Sequence, residues 1–356
     1  MNKREPIANA KTKLGTNLAP WLSEIQPKSG PQLRGYLRTN WSQDPYALGS
    51  YSYVAKGSWR REHRQLAKPV MDRLFFAGEA ANPRRSTSVH AALESGRFVA
   101  NALLKYDYQT IVIVGAGIAG LSAAHTLAAK GRTVQLLEAR DRIGGRIHSD
   151  YSLGVSCDLG ASWLHGANGN PLTELTNSLG MRKVVTNTSW VARDRGKKLD
   201  EAELPSWIES ISLYDNAAGA AAASVNSWSY LFFNDYSGDE CVFPDGYIQL
   251  FDAFKGDYDL KLNQVVEAIA YSEHNVQVSS KSATAEYDAV VVTVPLGVLK
   301  AGTIQFTPAL PANKQKAIQR LGMGTLDKIY LQFDDPFWDK EPHLLITPFT
   351  DFSCEG

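Results

Sequence analysis

Thr110-Ile-Val-Ile-Val114 runs straight into Gly115-Ala116-Gly117-Ile-Ala-Gly120, an unbroken β-branched run that ends in a Gly-x-Gly-x-x-Gly turn. A run of this kind reads as a strand buried on both faces of a parallel sheet. The first glycine allows a tight turn, the second lets a pyrophosphate approach the backbone, and the third lets the following helix pack close to the strand. That helix is expected over residues 118–130, stopped by Gly131, with its N-terminus favouring negative charge. Thr133-Val-Gln-Leu-Leu137 supplies the second strand of a βαβ unit. Glu138 closes it, eighteen residues past Gly120, placed to accept hydrogen bonds from ribose hydroxyls. The fold class this predicts is α/β, and the ligand is a dinucleotide, NAD or FAD.

Downstream, Glu138-Ala139-Arg140-Asp-Arg142-Ile-Gly144-Gly145-Arg146 adds two glycines that let backbone come close. Its arginines can hold phosphate bidentately. Upstream, Arg73-Leu-Phe-Phe-Ala77 reads as a short apolar strand ending at Gly78-Glu79. Val89, Leu93, Gly96, Val99, Ala100 and Leu103 fall on one helical face, with Ser86 or Thr87 placed as the cap. Residues 48–54 alternate like a strand or tight loop. Further strands are expected at 276–278, 287–295 and 328–333, a helix near 18–25, and a helix or helix-linking loop at 217–223.

The bulk properties narrow the class. At 356 residues two domains are expected. Lys and Arg total 37 against 37 Asp and Glu, so no global field draws nucleic acid or anionic membrane. The short clusters Arg60-Arg61 and Arg84-Arg85 read as solvated loops. Cys157, Cys241 and Cys354 form no CxxC pair, and the seven histidines show no HExxH spacing, so neither a disulfide framework nor a metal is expected. Met-Asn-Lys-Arg-Glu-Pro lacks the apolar run of a signal peptide and no stretch approaches a membrane span, so a cytoplasmic protein is expected.

The extended run to Arg146 resembles the flavin-containing amine oxidases. So does Cys157-Asp158-Leu-Gly160-Ala161-Ser162-Trp163-Leu-His165-Gly166, similar to that family's segment along the isoalloxazine ring. Val242-Phe-Pro-Asp-Gly-Tyr247, Leu262-Asn-Gln-Val-Val266, Thr293-Val-Pro-Leu-Gly-Val-Leu-Lys300 and Leu321-Gly-Met-Gly-Thr-Leu-Asp-Lys328 match as well. Trp41-Ser-Gln-Asp44-Pro45, Gly49-Ser-Tyr-Ser-Tyr53 and Phe75-Phe-Ala-Gly78-Glu79 resemble the family's closing segment. The resemblance covers most of residues 20–345, nearest to the polyamine oxidases, with lysine-specific histone demethylases as relatives.

The resemblance implies FAD as cofactor, bound by a Rossmann-like domain of the glutathione-reductase-like type. It implies oxidation of an amine's C–N bond by hydride transfer to flavin, imine hydrolysis, and reoxidation by dioxygen to hydrogen peroxide. Lys328 and His165 become the catalytic candidates, Lys328 holding a water at flavin N5. Glu79 is expected at the ribityl or phosphate end, Ser88 and Val89 under the pyrimidine ring, and Val266 at the cofactor. Trp41, Tyr46, Tyr51 and Tyr53 are expected along the flavin. The expected division is a segment at 1–36, an FAD-binding domain at 37–165 and 240–300, and an α+β substrate domain at 166–239 and 301–356.

Two departures qualify this. The family's closing segment precedes the fingerprint here, a circularly permuted order or a gene junction. Several dozen residues of substrate domain are also expected to be missing, leaving that half open. A non-catalytic FAD-binding fragment, or a split-enzyme subunit completed by a partner chain, is therefore the alternative to an enzyme acting alone. Arg85 stands where the family carries an aromatic wall to the amine site. A cation there would repel a polyamine and favour an amino acid substrate.

Overall fold

In a computed structural model of the chain, the structure describes residues 32–186, 190–194, 197–198, 220, 224–226, 236–336 and 344–346. The expected helix at 18–25, most of the alanine-rich stretch at 217–223, Phe337-Trp338 and Cys354 lie outside the described residues.

A five-stranded sheet organises the site. Its order is Asp259–Lys261, Thr133–Leu137, Thr110–Val114, Ala289–Val292, Leu74–Phe76, and every neighbouring pair is parallel. Alternate side chains of a strand point to opposite faces, and both faces here are covered. Phe75, Ile111, Ile113, Leu136 and Val291 join one core; Leu74, Phe76, Val112, Val114, Leu137, Val290 and Val292 join the other. The β-branched runs read from the sequence are thus buried on both sides.

The expected βαβ unit forms, with the helix at Ile118–Ala128 and Gly131 at φ +78 closing it. The second helix, Val89–Leu103, crosses the first where Gly96 sits. A Cβ there would stand 2.1 Å from the Ala119 carbonyl oxygen. Its cap is Ser88, whose hydroxyl accepts from the Ala91 N–H at 3.2 Å, not the expected Ser86 or Thr87. A crossover runs from Leu74–Phe76 through this helix to Thr110–Val114. The two strands are parallel but not adjacent, because Ala289–Val292 lies between them.

The segment before the fingerprint is joined to the last described third of the chain. Leu33–Arg38 pairs antiparallel with Ile329–Phe333, and Tyr51–Tyr53 with Gly322–Gly324. Tyr53 packs against Gly322, where a Cβ would meet its ring at 2.2 Å, and it does not line the cavity described below.

Candidate active site

A cavity of about 1670 Å³ opens at the C-terminal ends of Thr110–Val114 and Thr133–Leu137. Ligands of open parallel sheets bind at such strand ends. Pockets for small ligands run to roughly 1,000 Å³, so this one has room for a dinucleotide and a substrate.

Of the residues singled out in the sequence, Gly115, Gly117, Glu138, Ala139, Arg140, Gly145, Arg146 and Val266 line it. Gly117 has nothing within 4 Å of where a Cβ would stand. Gly120 and Ala116 do not line it. A Cβ on Gly120 would stand 1.9 Å from the Gly115 carbonyl, so this glycine serves helix-to-strand packing. Ala116 is fully buried and its N–H donates to Glu138 Oε2 at 2.8 Å. Glu138 Oε1 accepts from the Arg140 N–H at 2.9 Å, so two backbone donors orient the carboxylate at the cavity edge.

Two ion pairs tie the preceding segment to this cradle. Arg140 grips Asp44 through both guanidinium nitrogens, at 2.9 and 2.7 Å, and lies over the Tyr46 ring at 5.3 Å. Burial works against the Asp44 charge, yet the Arg140 fork prevails and lowers its pKa. Arg146 donates to Glu79 at 3.0 Å and to the Ser50 carbonyl at 2.8 Å. Glu79 also accepts from the Ser52 N–H and hydroxyl and from the Thr87 N–H. Burial opposes its charge, but Arg146 and Ser52 hold the carboxyl below the usual carboxylate range. Glu79, Ser88, Val89, Trp41, Tyr46 and Tyr51 all line the cavity. Trp41 Nε1 donates to the Leu159 carbonyl at 3.1 Å.

The same cavity reaches the second group of candidates: Gly160, Ala161, Ser162, Trp163, His165 and Lys328. Lys328 stands just before Ile329–Phe333. Its Nζ donates to the carbonyls of Asp158 (2.9 Å) and Gly160 (2.6 Å) and to the Ser162 hydroxyl. Burial pulls this ammonium down to about 8, against the opposing pull of Asp158. The loop is held by Asp327, which accepts from the Trp41 N–H at 2.9 Å and the Thr39 hydroxyl at 2.7 Å. Lys328 Nζ lies 6.0 Å from the Trp163 ring, and Trp163 stacks with His165 at 6.4 Å between centroids. His165 Nδ1 meets Glu240 Oε2 at 2.5 Å.

Sequence reading missed Glu240, which lines the cavity, and Asp44, which anchors Arg140. Asp44 stood inside a recognised motif; nothing local marked Glu240. Arg85 requires a correction. It pairs with Glu94 at 3.1 Å, lies 4.1 Å over the Tyr236 ring, and does not line the cavity. Its charge is already matched, so it gives no reason to expect a carboxylate-bearing substrate.

The residues present fit FAD: open glycine backbone at a helix N-terminus, an oriented carboxylate at the second strand's end, and cavity volume to spare. Among the described residues no cluster of metal-ligating side chains occurs, and no helix is long and apolar enough to cross a membrane.

Comparison with known proteins agrees with this geometry. The family model for flavin containing amine oxidoreductases matches residues 16–104, 118–205 and 192–355. Probable polyamine oxidase 4 of Arabidopsis thaliana is 30% identical over 308 residues, covering 69% of this chain and 62% of that protein. Polyamine oxidase 2 of the same plant is 30% identical over 321 residues, covering 72% and 65%. Human lysine-specific histone demethylase 2 is 31% identical over 301 residues, covering 67% and 36%. The chain thus spans less than two thirds of the length of each.

Proposed function

Because the chain belongs to the flavin-containing amine oxidoreductase family, with FAD as its cofactor, we propose that it oxidises a C–N bond of a di- or polyamine, with dioxygen reduced to hydrogen peroxide. FAD, when bound, supplies the two-electron acceptor. The observation that carries the reading is one continuous cavity, running from the Gly115–Gly117 turn to Lys328 and on to Glu240.

The fingerprint residues, Glu138 and Val266 hold the cofactor in a Rossmann-like domain, with Arg140 and Arg146 already set by their carboxylate partners. Lys328 is the catalytic residue: half-buried, and fixed by three acceptors, it exchanges a proton near pH 8. Trp163, 40% exposed, offers a flat apolar wall to the alkyl chain between nitrogens. Glu240 attracts a second positive centre, which a di- or polyamine carries and an amino acid with an uncharged side chain lacks. We propose residues 37–165 and 240–300 as the cofactor domain, with the remainder of the chain from residue 166 forming the substrate side, and the cytoplasm as the place of action.

The test is anaerobic mixing of the purified, FAD-loaded protein with spermine, spermidine and a panel of amino acids. Bleaching of the flavin by the polyamines alone is expected, followed by peroxide on admitting air. A yellow protein that no amine bleaches would instead be a cofactor-binding chain that needs a partner to complete its substrate half. A preparation that cannot be loaded with FAD would remove the reading altogether.

A further inference from the structure

Glu240 sits at the start of a short strand, Cys241–Val242, clamped between Trp163–Leu164 and Val184–Val185. Its own carbonyl accepts from both the N–H (2.8 Å) and the hydroxyl (3.1 Å) of Thr186. The main chain of Glu240 is therefore fixed at the cavity wall, which sets the root of its side chain. One oxygen, Oε1, accepts from the Gly166 N–H at 3.0 Å; the other, Oε2, meets His165 Nδ1 at 2.5 Å. The imidazole is fixed in turn by stacking on Trp163, and the His165 carbonyl by the Asn170 amide at 2.9 Å.

An ionised carboxylate only accepts hydrogen bonds, so the ring nitrogen facing it carries the proton. In a neutral imidazole the other nitrogen is then an acceptor. An alkylammonium offers donors alone. We propose that Glu240 is a positioning residue that fixes the Nδ1–H tautomer of His165, so that Nε2 accepts a hydrogen bond from a second ammonium group of the substrate. Glu240 itself is half-exposed on the cavity wall and adds the matching charge. The substrate identity rests on the amine reading above; the tautomer does not.

Glu240→Gln separates the two. Gly166 N–H is a fixed backbone donor, so the amide oxygen of the variant must face it, which turns the NH₂ group toward Nδ1. The proton then moves to Nε2, and the cavity is offered a donor in place of an acceptor. Nitrogen-15 spectra of the histidine rings, with the His165 signals assigned by their loss in His165→Asn, report this directly. The expected result is an Nδ1–H pattern in the native protein and in Glu240→Asp, and an Nε2–H pattern in Glu240→Gln. Kinetically, Glu240→Gln should raise KM for spermidine by roughly 10–100-fold, the scale of leaving a polar group unmatched, while FAD content is retained. Glu240→Asp should lose less. An Nε2–H ring in the native protein, an unchanged ring pattern in Glu240→Gln, or a switched ring with an unchanged KM would each overturn the inference. A native protein that oxidises no amine sinks the proposed function instead, and the ring spectra still decide the role of Glu240.

Discussion

Two walls of one cavity are built in opposite ways. The cradle wall, residues 110–147 with Glu138, is nearly contiguous in the chain, and its geometry follows from spacing along two strands and a helix. The wall carrying Lys328 is assembled from distant pieces: Lys328 Nζ bonds to carbonyls 168 and 170 residues away, and the Asp327 beside it is held by Trp41, 286 residues away. The first wall takes its backbone course from local strand and helix contacts, with long-range ion pairs only orienting its arginines; the second depends throughout on the long-range pairing that brings it together. A fold can carry the first intact while the second is altered, so cofactor binding and the proposed turnover should be separable by substitution.

Four experiments probe that contrast. Lys328→Met should lower the anaerobic rate of flavin bleaching by ~10²–10⁴-fold, the usual scale for a positioned proton-transfer group, while the visible spectrum of bound FAD persists. Loss of FAD along with turnover would mean that the walls are not separable. Within the cradle, Gly120→Ala should destabilise the protein by about 3 kcal/mol, the upper range for overpacking. Gly117→Ala meets no atom within 4 Å, so it should leave the apoprotein's melting temperature unchanged and weaken FAD binding instead. Thermal unfolding and FAD titration of the two variants check this together.

Glu79→Gln should cost about 1–3 kcal/mol at neutral pH, as a buried donor set is left with a weaker acceptor. Because the folded-state pKa of Glu79 is depressed, its contribution is fully present above the unfolded carboxyl value and is lost as pH falls through the folded one. The gap between native and variant in denaturant titrations should therefore narrow on acidification. The smallest effect concerns Lys328 itself. Its folded pKa, about 8, lies below the ordinary 10.5, so between these values the unfolded chain binds more protons and the native protein gains stability as pH rises. Native protein should gain relative to Lys328→Met from pH 8 to 10, and a flat difference would contradict the burial of its ammonium.

The strands and the fingerprint helix were legible because burial on both faces selects β-branched runs, and because a glycine turn leaves few alternatives. Some boundaries frayed, as residues 73–77 shorten to Leu74–Phe76 and Lys328 falls just outside its strand. Others moved further, since the strand expected at 276–278 extends to Ser280 and the one expected at 287–295 is split between Thr284–Tyr287 and Ala289–Val292, in two different sheets. Arg85 was misread because a motif position says which residues are near in sequence, not which partner claims a charge; Glu94 and Tyr236 claim this one. Glu240 was invisible for the converse reason, since no pattern links it to a histidine 75 residues away.

By itself the sequence determined the βαβ unit, the glycine turn and the acidic strand end, since each depends on interactions within a few dozen residues. Tertiary structure alone decided which charges were spent and which faced the cavity: Arg140 on Asp44, Arg146 on Glu79, Arg85 on Glu94, and Glu240 on His165. The physical reason is that backbone conformation is set by local sterics and hydrogen bonding, whereas the pairing of a charge depends on whichever side chain the fold brings within reach.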